Sequence, residues 1–331
     1  DAAIGRIPAV NHIELQTFVD KLTETYAALT SYSEWKNREI MVSQNVTEIN
    51  SGCIGQKVDW MYDEILVYVP ADVDTFFLRS SELDPQCAWH YMCGGNSEIL
   101  ESAFETAIND GAGLVHYFGT GASPFNLGNF YWASDHDPYG SDFNFTNSGK
   151  SPFFMAVSCN LGKTQEPFTT PSIMKDLMFV DGGGILGAFA PTILTTQWAC
   201  REFSEDFHRL LNDEGVNVIG DLTKVTKEAF EPRMPSRVWV SRGFVLYGDP
   251  SMPLSLYQYK DSDIAENTTW QGSIVVKSPI TVEEGNTLTI KPGTGIFFEE
   301  DAKLTVNGNI VIEGSESFPI VFTSASEEPQ S

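Results

Sequence analysis

Residues 151–167 read SPFFMAVSCNLGKTQEP, in which an apolar run ends abruptly at Cys159 and passes into a polar loop that contains Gly162. Five or six apolar residues without alternation are typical of a central strand that is buried on both faces. The carboxyl ends of such strands are where open α/β sheets carry their chemistry. Cys159 therefore has the position of a nucleophile, although a buried structural cysteine is the simpler interpretation of an isolated Cys after a strand.

A second stretch has the same pattern. Residues 111–123 read GAGLVHYFGTGAS, in which the apolar residues 114–118 predict another buried strand that closes in a Gly-Thr-Gly turn at residues 119–121. Because the carboxyl ends of parallel strands lie at one edge of a sheet, we expect this turn and Cys159 to lie close together.

With Asn160 and Gly162 after Cys159, the two stretches resemble the gingipain-type cysteine peptidases of the caspase-like clan. In that family the first strand ends in a Gly-His-Gly turn and the second in a Cys that is followed by Asn and Gly. The resemblance implies that Cys159 is the nucleophile of peptide-bond hydrolysis and that the backbone N–H groups of Gly121 and Cys159 form an oxyanion hole. Thr120 stands where the family has its catalytic histidine.

Flanking segments extend the resemblance over most of residues 1–257. Residues 2–22 are similar to the family's strand and loop before an acid-rich helix, residues 182–191 to its next buried strand, and FVLYGDPSMP at 244–253 to its closing Gly-Asp-Pro-Ser signature. By the same resemblance Trp198 lines the substrate pocket, after a stretch that carries one extra residue relative to the family pattern.

The resemblance also predicts the domain organisation. Residues 1–257 are expected to form the peptidase domain without the family's first strands, and residues 258–331 an all-β tail. Two units agree with the length, because 331 residues exceed the usual size of one core. We expect the chain to be a fragment of a longer protein.

The composition limits the partners. A formal net charge of -25 and an isoelectric point near 4.4 argue against nucleic acid or an anionic membrane, because both would be repelled. No apolar run in the sequence is long enough to span a bilayer, and no segment has the pattern of a signal peptide. Acidic surfaces are common among secreted proteins. We therefore predict a protein that is secreted or attached to the surface of a bacterium and that acts on a protein or peptide substrate.

Hydrophobic periodicity predicts the fold class. Strand-like runs at residues 2–7, 65–69 and 114–118 alternate with helix-like segments, of which residues 97–108 are the clearest. The stripe predicted to face the core in the first helix consists of Leu15, Phe18, Val19 and Leu22. Alternating strands and helices favour a mostly parallel sheet with right-handed crossovers and helices on its faces. The expected fold class is therefore α/β, of the caspase-like kind.

The alternation continues beyond Cys159, with a helix predicted at 172–179, a Gly-rich strand at 182–190 and an amphipathic helix at 199–212. The triple glycine 182–184 lacks the Lys-Ser/Thr of a phosphate loop, so a tight turn or close strand packing is the better interpretation. The inward residues predicted for the last helix are Phe203, Phe207, Leu210 and Leu211. His208, on the same helix, is predicted to lie at the surface or the boundary.

A long loop between the two site strands carries an acidic pattern. Asp135, Asp137, Gly140 and Asp142 give D-x-D-x-x-G-x-D, in which hard carboxylate oxygens alternate around a glycine turn, as in calcium loops. The bidentate Glu that ends such loops is missing, and a plain acidic loop is the simpler interpretation. The resemblance keeps a structural calcium open, because gingipain-type enzymes carry calcium. The predicted hydrolysis requires no cofactor.

The tail has a composition of its own. From residue 261 the hydrophobic residues become short-spaced, and short strands are predicted at 274–276, 287–290, 303–306 and 310–312, followed by PIVFTS. Strands separated by Gly and acidic turns are similar to the opening coils of right-handed parallel β-helices in secreted bacterial proteins, and a small β-sandwich is the alternative. Such a tail is suited to adhesion or cell-surface attachment.

The chemistry of a thiol depends on its partner. A cysteine reacts as the thiolate, and an unassisted Cys with a pKa of about 8.5 is only a few per cent ionised near neutral pH. A neighbouring imidazole lowers the thiol pKa and protonates the leaving amine, whereas the hydroxyl of Thr120 can do neither. His136, in the long loop, is the candidate replacement base. His116 lies too far along the strand, since four residues at roughly 3.3 Å each separate it from Thr120.

The five cysteines leave their pairing open. Cys87 and Cys93 lie in one loop and can pair, Cys53 and Cys200 are ambiguous, and Cys159 is left free. Five free thiols in a reducing compartment are the alternative.

Two hypotheses of different classes follow. The first is a secreted cysteine endopeptidase that uses Cys159 with an altered or displaced base. The second is a catalytically inactive relative of such peptidases that acts as a binding or adhesive module at the cell surface. Thr120 favours the second hypothesis, and Cys159 favours the first.

Overall fold

The structure is a computed structural model that describes residues 3–43, 59–79, 83, 98–119, 126–127, 131–132, 144–163 and 173–326. The strands of its first part are β1 (Arg38–Ser43), β2 (Asp74–Arg79), β3 (Leu114–Phe118), β4 (Asn126–Leu127), β5 (Tyr131–Trp132), β6 (Phe153–Val157), β7 (Gly187–Pro191) and β8 (Phe244–Tyr247). Six of them form the central sheet in the order β2-β1-β3-β6-β7-β8. The first five strands of that order pair in parallel, and β8 is antiparallel to β7. The predicted mostly parallel sheet is confirmed.

Helices cover both faces of the sheet. The described helices are α1 (His12–Leu29), α2 (Asp59–Leu66), α3 (Glu98–Asp110), α4 (Ile173–Phe179), α5 (Gln197–Asn212), α6 (Ile219–Arg233) and α7 (Val238–Gly243). Buried residues of α1, α3 and α4 form the core on one face, and buried residues of α2, α5, α6 and α7 form the core on the other. The result is the three-layer α/β arrangement expected from alternating strands and helices.

The two central strands show why their sequences do not alternate. In β6, Phe154 and Ala156 belong to the core on one face, while Phe153, Met155 and Val157 belong to the core on the other. All five residues of β6 are buried, and so are all five of β3. A strand with helices on both faces needs apolar residues at every position. Because β3 and β6 pair in parallel, their carboxyl ends lie side by side on one edge of the sheet.

Two strands predicted near the beginning of the chain are wrong. The described residues 3–7 contribute only one bridge, from Arg6 to Tyr247. Residues 65–69 include the end of α2 and the turn after it, where Ile65 is buried against the sheet. A short apolar run does not distinguish a strand from a buried helix. The strands at this edge are β1 and β2, which the sequence patterns did not reveal.

The predicted core stripe of α1 is half correct. Phe18 is buried and Leu22 packs partly against the core, but Leu15 is 47% exposed and Val19 is 43% exposed. The other buried residues of this helix are Lys21, Thr25 and Leu29. The buried face of α1 therefore includes polar residues. The ammonium group of Lys21 donates a hydrogen bond to the carbonyl of Met178 at 2.8 Å.

Helix α5 has the predicted inner face with one correction. The four predicted inward residues, Phe203, Phe207, Leu210 and Leu211, are all buried. His208 is fully buried as well, so its predicted surface position is wrong. It lies inside because a carboxylate from β1 pairs with it, as described below.

The triple glycine forms a tight turn, as predicted. A Cβ atom on Gly184 would lie 2.1 Å from the carbonyl oxygen of Leu177, and one on Gly183 would lie 2.6 Å from Asn147 Oδ1. Gly184 also has a φ of +84°, in the region that favours glycine. These glycines serve close packing before β7.

The tail is built from short strands that pair in parallel. They are β9 (Gln258–Lys260), β10 (Thr268–Trp270), β11 (Ser273–Val276), β12 (Ile280–Val282), β13 (Thr287–Ile290), β14 (Gly295–Phe298), β15 (Leu304–Val306), β16 (Asn309–Ile312) and β17 (Val321–Ser324). They form three sheets, β10-β13-β16, β17-β14-β11-β9 and β12-β15. The predicted strands are confirmed. Every strand pair described in the tail is parallel, whereas a β-sandwich is built from antiparallel sheets.

The tail contacts the segment between α1 and β1 through a buried lysine. Lys36, in the short 3-10 helix Glu34–Asn37, is fully buried. The acceptors of its ammonium group are Ala28 O at 2.7 Å, the carbonyl of Ser31 and Ser273 Oγ at 3.3 Å. The rings of Tyr257 and Phe297 lie 5.2 and 5.1 Å from the nitrogen. Burial lowers the pKa of Lys36 to about 7.

The described helices include none that combines the length and the apolar character needed to cross a bilayer.

Candidate active site

Cys159 lies at the carboxyl edge of the central sheet. β3 and β6 pair with Phe118 opposite Val157, so both strands end side by side. The chain continues from Val157 through the buried Ser158 to Cys159, whose free thiol is only partly buried. A partly exposed thiol at the end of a central strand has the position required of a nucleophile.

The loop after Cys159 is fixed by main-chain hydrogen bonds to the end of β7 and to the segment that follows it. Asn160 N donates to Ile193 O at 2.9 Å, and Gly162 N donates to Pro191 O at 2.8 Å. Asn160 has a φ of +57°, a left-handed conformation that non-glycine residues seldom adopt. A Cβ atom on Gly162 would lie 2.7 Å from Ala190 O. The Asn and the Gly that carry the family resemblance therefore have backbone roles in turning the chain sharply after Cys159.

Three atoms of one residue, Thr195, contact the sulfur of Cys159. Thr195 N donates to Cys159 Sγ at 3.3 Å, and the sulfur lies 3.7 Å from Thr195 O and 3.6 Å from Thr195 Oγ1. The hydroxyl of Thr195 donates in turn to the carbonyl of Ser158 at 2.7 Å. Thr195 thus contacts both Cys159 and the residue before it.

A second thiol shares this contact. Cys200, in the first turn of α5, is buried beside the side chain of Thr195. Burial raises the pKa of Cys200 to about 12, and the charge of Cys159 acts in the same direction. Cys200 is therefore protonated at neutral pH. Of the cysteines in the described part of the chain, Cys159 alone has the exposure that a nucleophile needs.

Trp198 also lies in the first turn of α5 and is 58% exposed. The guanidinium of Arg201 lies 4.9 Å from the centre of its ring, and Arg201 pairs with Glu64 at 2.7 Å. Glu202 and Glu205 also pair with this guanidinium. Burial, followed by a hydrogen bond with Glu64, raises the pKa of Glu205 to about 7. The start of α5 thus presents an aromatic ring and several carboxylates within a few residues of Thr195.

A buried polar chain fixes α5 against the sheet. His208 Nε2 lies 2.7 Å from Glu39 Oε1, and His208 Nδ1 lies 2.9 Å from the carbonyl oxygen of Ser204. The hydroxyl of Ser204 is 3.0 Å from His116 Nε2. Burial, with the nearby His208, lowers the pKa of His116 well below its usual value, so His116 is neutral. These histidines support α5 from inside the core.

Several predicted site residues lie outside the described residues. They are Thr120, Gly121 and His136, the calcium candidates Asp135, Asp137 and Asp142, and the cysteines Cys53, Cys87 and Cys93. The chain after β3 is described only as far as Gly119. Three sets of predicted roles therefore stay predictions: those of the Gly-Thr-Gly turn, the replacement base and the metal ligands.

Two features of the site were not predicted from the sequence. Nothing in the residue pattern marks Thr195, because its main contacts to Cys159 come from backbone atoms 36 residues away. The buried position of His208 did have a signal: Cys200, Ser204 and His208 are spaced by four residues, which places them on one face of a helix.

Comparisons with known proteins agree with this geometry. The family model described as peptidase family C25 matches residues 1–255. The chain is similar to the crystal structure of the Arg-specific cysteine proteinase gingipain R, with a TM-score of 0.58, 18% identity, and coverage of 76% of this chain and 55% of that chain. It is also similar to the complex of the pro- and mature domains of RgpB from Porphyromonas gingivalis, with a TM-score of 0.57, 18% identity, and coverage of 76% and 56%. At this identity the likeness shows a shared fold.

A structure described only as a protease matches with a TM-score of 0.53 and 12% identity, over 74% of this chain and 54% of that chain. The chain therefore spans about half the length of the solved structures that it matches. No curated protein matches it in sequence.

Proposed function

Because this chain belongs to peptidase family C25, we propose that it hydrolyses peptide bonds through the thiolate of Cys159. The observation that carries the proposal is the placement of Cys159: a partly buried, free thiol at the carboxyl end of β6, beside the end of β3. The fold shared with gingipain R supports the proposal. The substrate is a protein or peptide.

The proposed reaction uses few groups. The sulfur attacks the carbonyl carbon of the substrate, and the resulting oxyanion accepts hydrogen bonds from the N–H groups of Cys159 and Gly121. Collapse of this intermediate breaks the C–N bond and leaves a thioester, while the departing amine takes up a proton. His136 is the proposed donor of that proton. Water then hydrolyses the thioester and regenerates the thiol.

A catalytically inactive binding module is the second candidate function. It is favoured by Thr120, because a threonine hydroxyl neither lowers the thiol pKa as a cation nor protonates the leaving amine. In this alternative the family fold is retained for binding to protein surfaces, and the tail provides attachment.

We propose further that the tail is the beginning of a parallel β-helix. The proposal is supported by parallel pairs that recur at a similar spacing: Ile274 lies opposite Ile296, and Leu288 opposite Ile310, 22 residues later in both cases. Secretion, attachment to a bacterial surface through this tail and a structural calcium held by Asp135, Asp137 and Asp142 complete the proposal.

The two candidate functions are separated by one set of variants. The unmodified chain, Cys159→Ala, Thr120→His and His136→Ala are incubated with a diverse peptide library, and new peptide ends are identified by mass spectrometry. Cleavage that disappears in both Cys159→Ala and His136→Ala supports the endopeptidase with its displaced base. A silent unmodified chain whose Thr120→His variant cleaves, and loses cleavage again with Cys159→Ala, supports the inactive module. Cleavage that persists at an unchanged rate in Cys159→Ala refutes the assignment of the nucleophile.

A further inference from the structure

The contacts of Cys159 single out Thr195 as a residue with two separate roles. Its backbone N–H lies 3.3 Å from the sulfur, and its hydroxyl lies 2.7 Å from the carbonyl oxygen of Ser158. One interaction comes from the backbone of Thr195 and the other from its side chain, and they meet the neighbouring residues Cys159 and Ser158. The position of the sulfur relative to the end of β6 is therefore set by this one side chain and its peptide group.

The protons available on Thr195 show which of its groups can donate a hydrogen bond to the ionised sulfur. A hydroxyl has one proton, and that of Thr195 is donated to Ser158 O. Toward Cys159 the hydroxyl oxygen, at 3.6 Å, is left as an acceptor, and Thr195 O at 3.7 Å is an acceptor as well. Both suit a neutral S–H group. After the proton leaves, the N–H of Thr195 is the group of this residue that still forms a favourable contact with the sulfur.

We propose that Thr195 is the positioning residue of the Cys159 thiolate: its hydroxyl anchors the carbonyl of Ser158 so that its backbone N–H points at the sulfur. The inference rests on the proposed function, since it treats Cys159 as the nucleophile. It adds that a donor in the segment after β7 supports the thiolate from the side opposite to β3.

The same segment contains a matched control. Thr192 is three residues earlier, and its hydroxyl also donates to a carbonyl, that of Gly243, at 3.0 Å. Its described contacts do not include Cys159. Thr192→Val and Thr195→Val therefore remove the same chemical group and the same type of hydrogen bond from one stretch of chain, and only the second change reaches the nucleophile.

The test measures the rate at which iodoacetamide alkylates Cys159, as a function of pH, by mass spectrometry of the peptide that contains it. In Thr195→Val we expect the rate at pH 7 to fall about tenfold, the effect of losing roughly one hydrogen bond to an ionised group. The pH profile should move to higher pH, since the thiolate is less stabilised. Thr195→Ser keeps the hydroxyl and should restore the rate to within about twofold, and Thr192→Val should keep it as well. Thermal unfolding of each variant verifies that it is folded.

The outcomes separate this inference from the proposed function. Thr195→Val with the rate and profile of the unmodified chain overturns the inference, and so does an equal loss in Thr192→Val, because the effect then comes from loosening of the whole segment. If the unmodified chain cleaves no peptide but its alkylation still depends on Thr195 as described, the inference stands and the endopeptidase function fails. If Cys159-dependent cleavage is found while alkylation does not depend on Thr195, the function stands and the inference fails.

Discussion

The buried pair of Glu39 and His208 allows a quantitative test of how α5 is held on the sheet. Both side chains are almost completely buried, and the 2.7 Å contact between them joins β1 to α5, the helix that carries Trp198. We consider three single substitutions and one double substitution. Glu39→Leu and His208→Leu each remove one partner, Glu39→Gln keeps the shape of the side chain and removes its charge, and Glu39→Leu/His208→Leu removes both partners.

The structure orders the expected effects. His208→Leu leaves the carboxylate of Glu39 buried without its partner, and breaking a buried pair in this way costs about 3–5 kcal/mol. Glu39→Leu leaves the imidazole of His208 with its Nδ1 contact to Ser204 O but without a partner for Nε2, so the cost is about 1–3 kcal/mol for one unsatisfied nitrogen. In Glu39→Gln the amide can donate to Nε2, and we expect a loss of less than about 1.5 kcal/mol. The double variant should be more stable than His208→Leu, since no charge is left buried alone.

The free energy of unfolding of each variant, measured by urea denaturation, tests this order. A double variant whose loss equals the sum of the two single losses would refute the reasoning, because it would show that the two side chains do not interact. Leu at both positions also provides the control for volume, since all three leucine variants introduce the same apolar side chain.

Three further predictions follow from single sites. Burial, with a hydrogen bond to Glu64, raises the pKa of Glu205 to about 7, so the folded chain holds more protons than the unfolded chain between about pH 4.5 and 7, and stability should fall as pH rises through this window. Glu205→Gln should remove that part of the slope in a urea titration series. Burial lowers the pKa of Lys21 and of Lys36 to about 7, so the unfolded chain binds more protons than the folded chain between about pH 7 and 10.5. Stability should therefore rise with pH in this window. Lys36→Met should flatten the rise, and an unchanged slope would contradict the assigned burial effect. Asn160 has a positive φ, so Asn160→Gly should keep or slightly raise the melting temperature while Asn160→Ala costs about 1 kcal/mol; equal melting temperatures of these two variants would argue against the left-handed conformation.

In the central sheet, the strands that could be predicted from the sequence are those whose burial is uniform. β3 and β6 are buried at every position, so their apolar runs are unbroken and end abruptly at the site. β2 is an edge strand with exposed and half-buried positions along DTFFLR, and β1 begins with a charged pair, Arg38 and Glu39. Neither pattern separates a strand from a loop, because the neighbours that bury these residues are distant in the sequence.

The candidate site divides in the same way. The position of Cys159 at a strand end could be predicted, because it follows a local pattern of apolar residues that ends in a turn. Thr195 could not, since a backbone N–H is present at every non-proline residue and only the fold decides where it points. The burial of His208 depended on Glu39, 169 residues earlier in the chain, whose carboxylate makes an inward imidazole tolerable.

Strand β8 determines when the thiol site can be completed as the chain is synthesised. β8 adds to the sheet beside β7, and the hydroxyl of Tyr247 donates to the carbonyl of Gly162, in the loop that follows Cys159. Gly248 N, next in the chain, donates to Arg6 O, so the same few residues also hold the segment before α1. During synthesis the loop around the thiol lacks this support until the chain has been extended 85 residues beyond Gly162 and β8 has left the ribosome. Translation itself thus delays completion of the thiol site until long after Cys159 has been made.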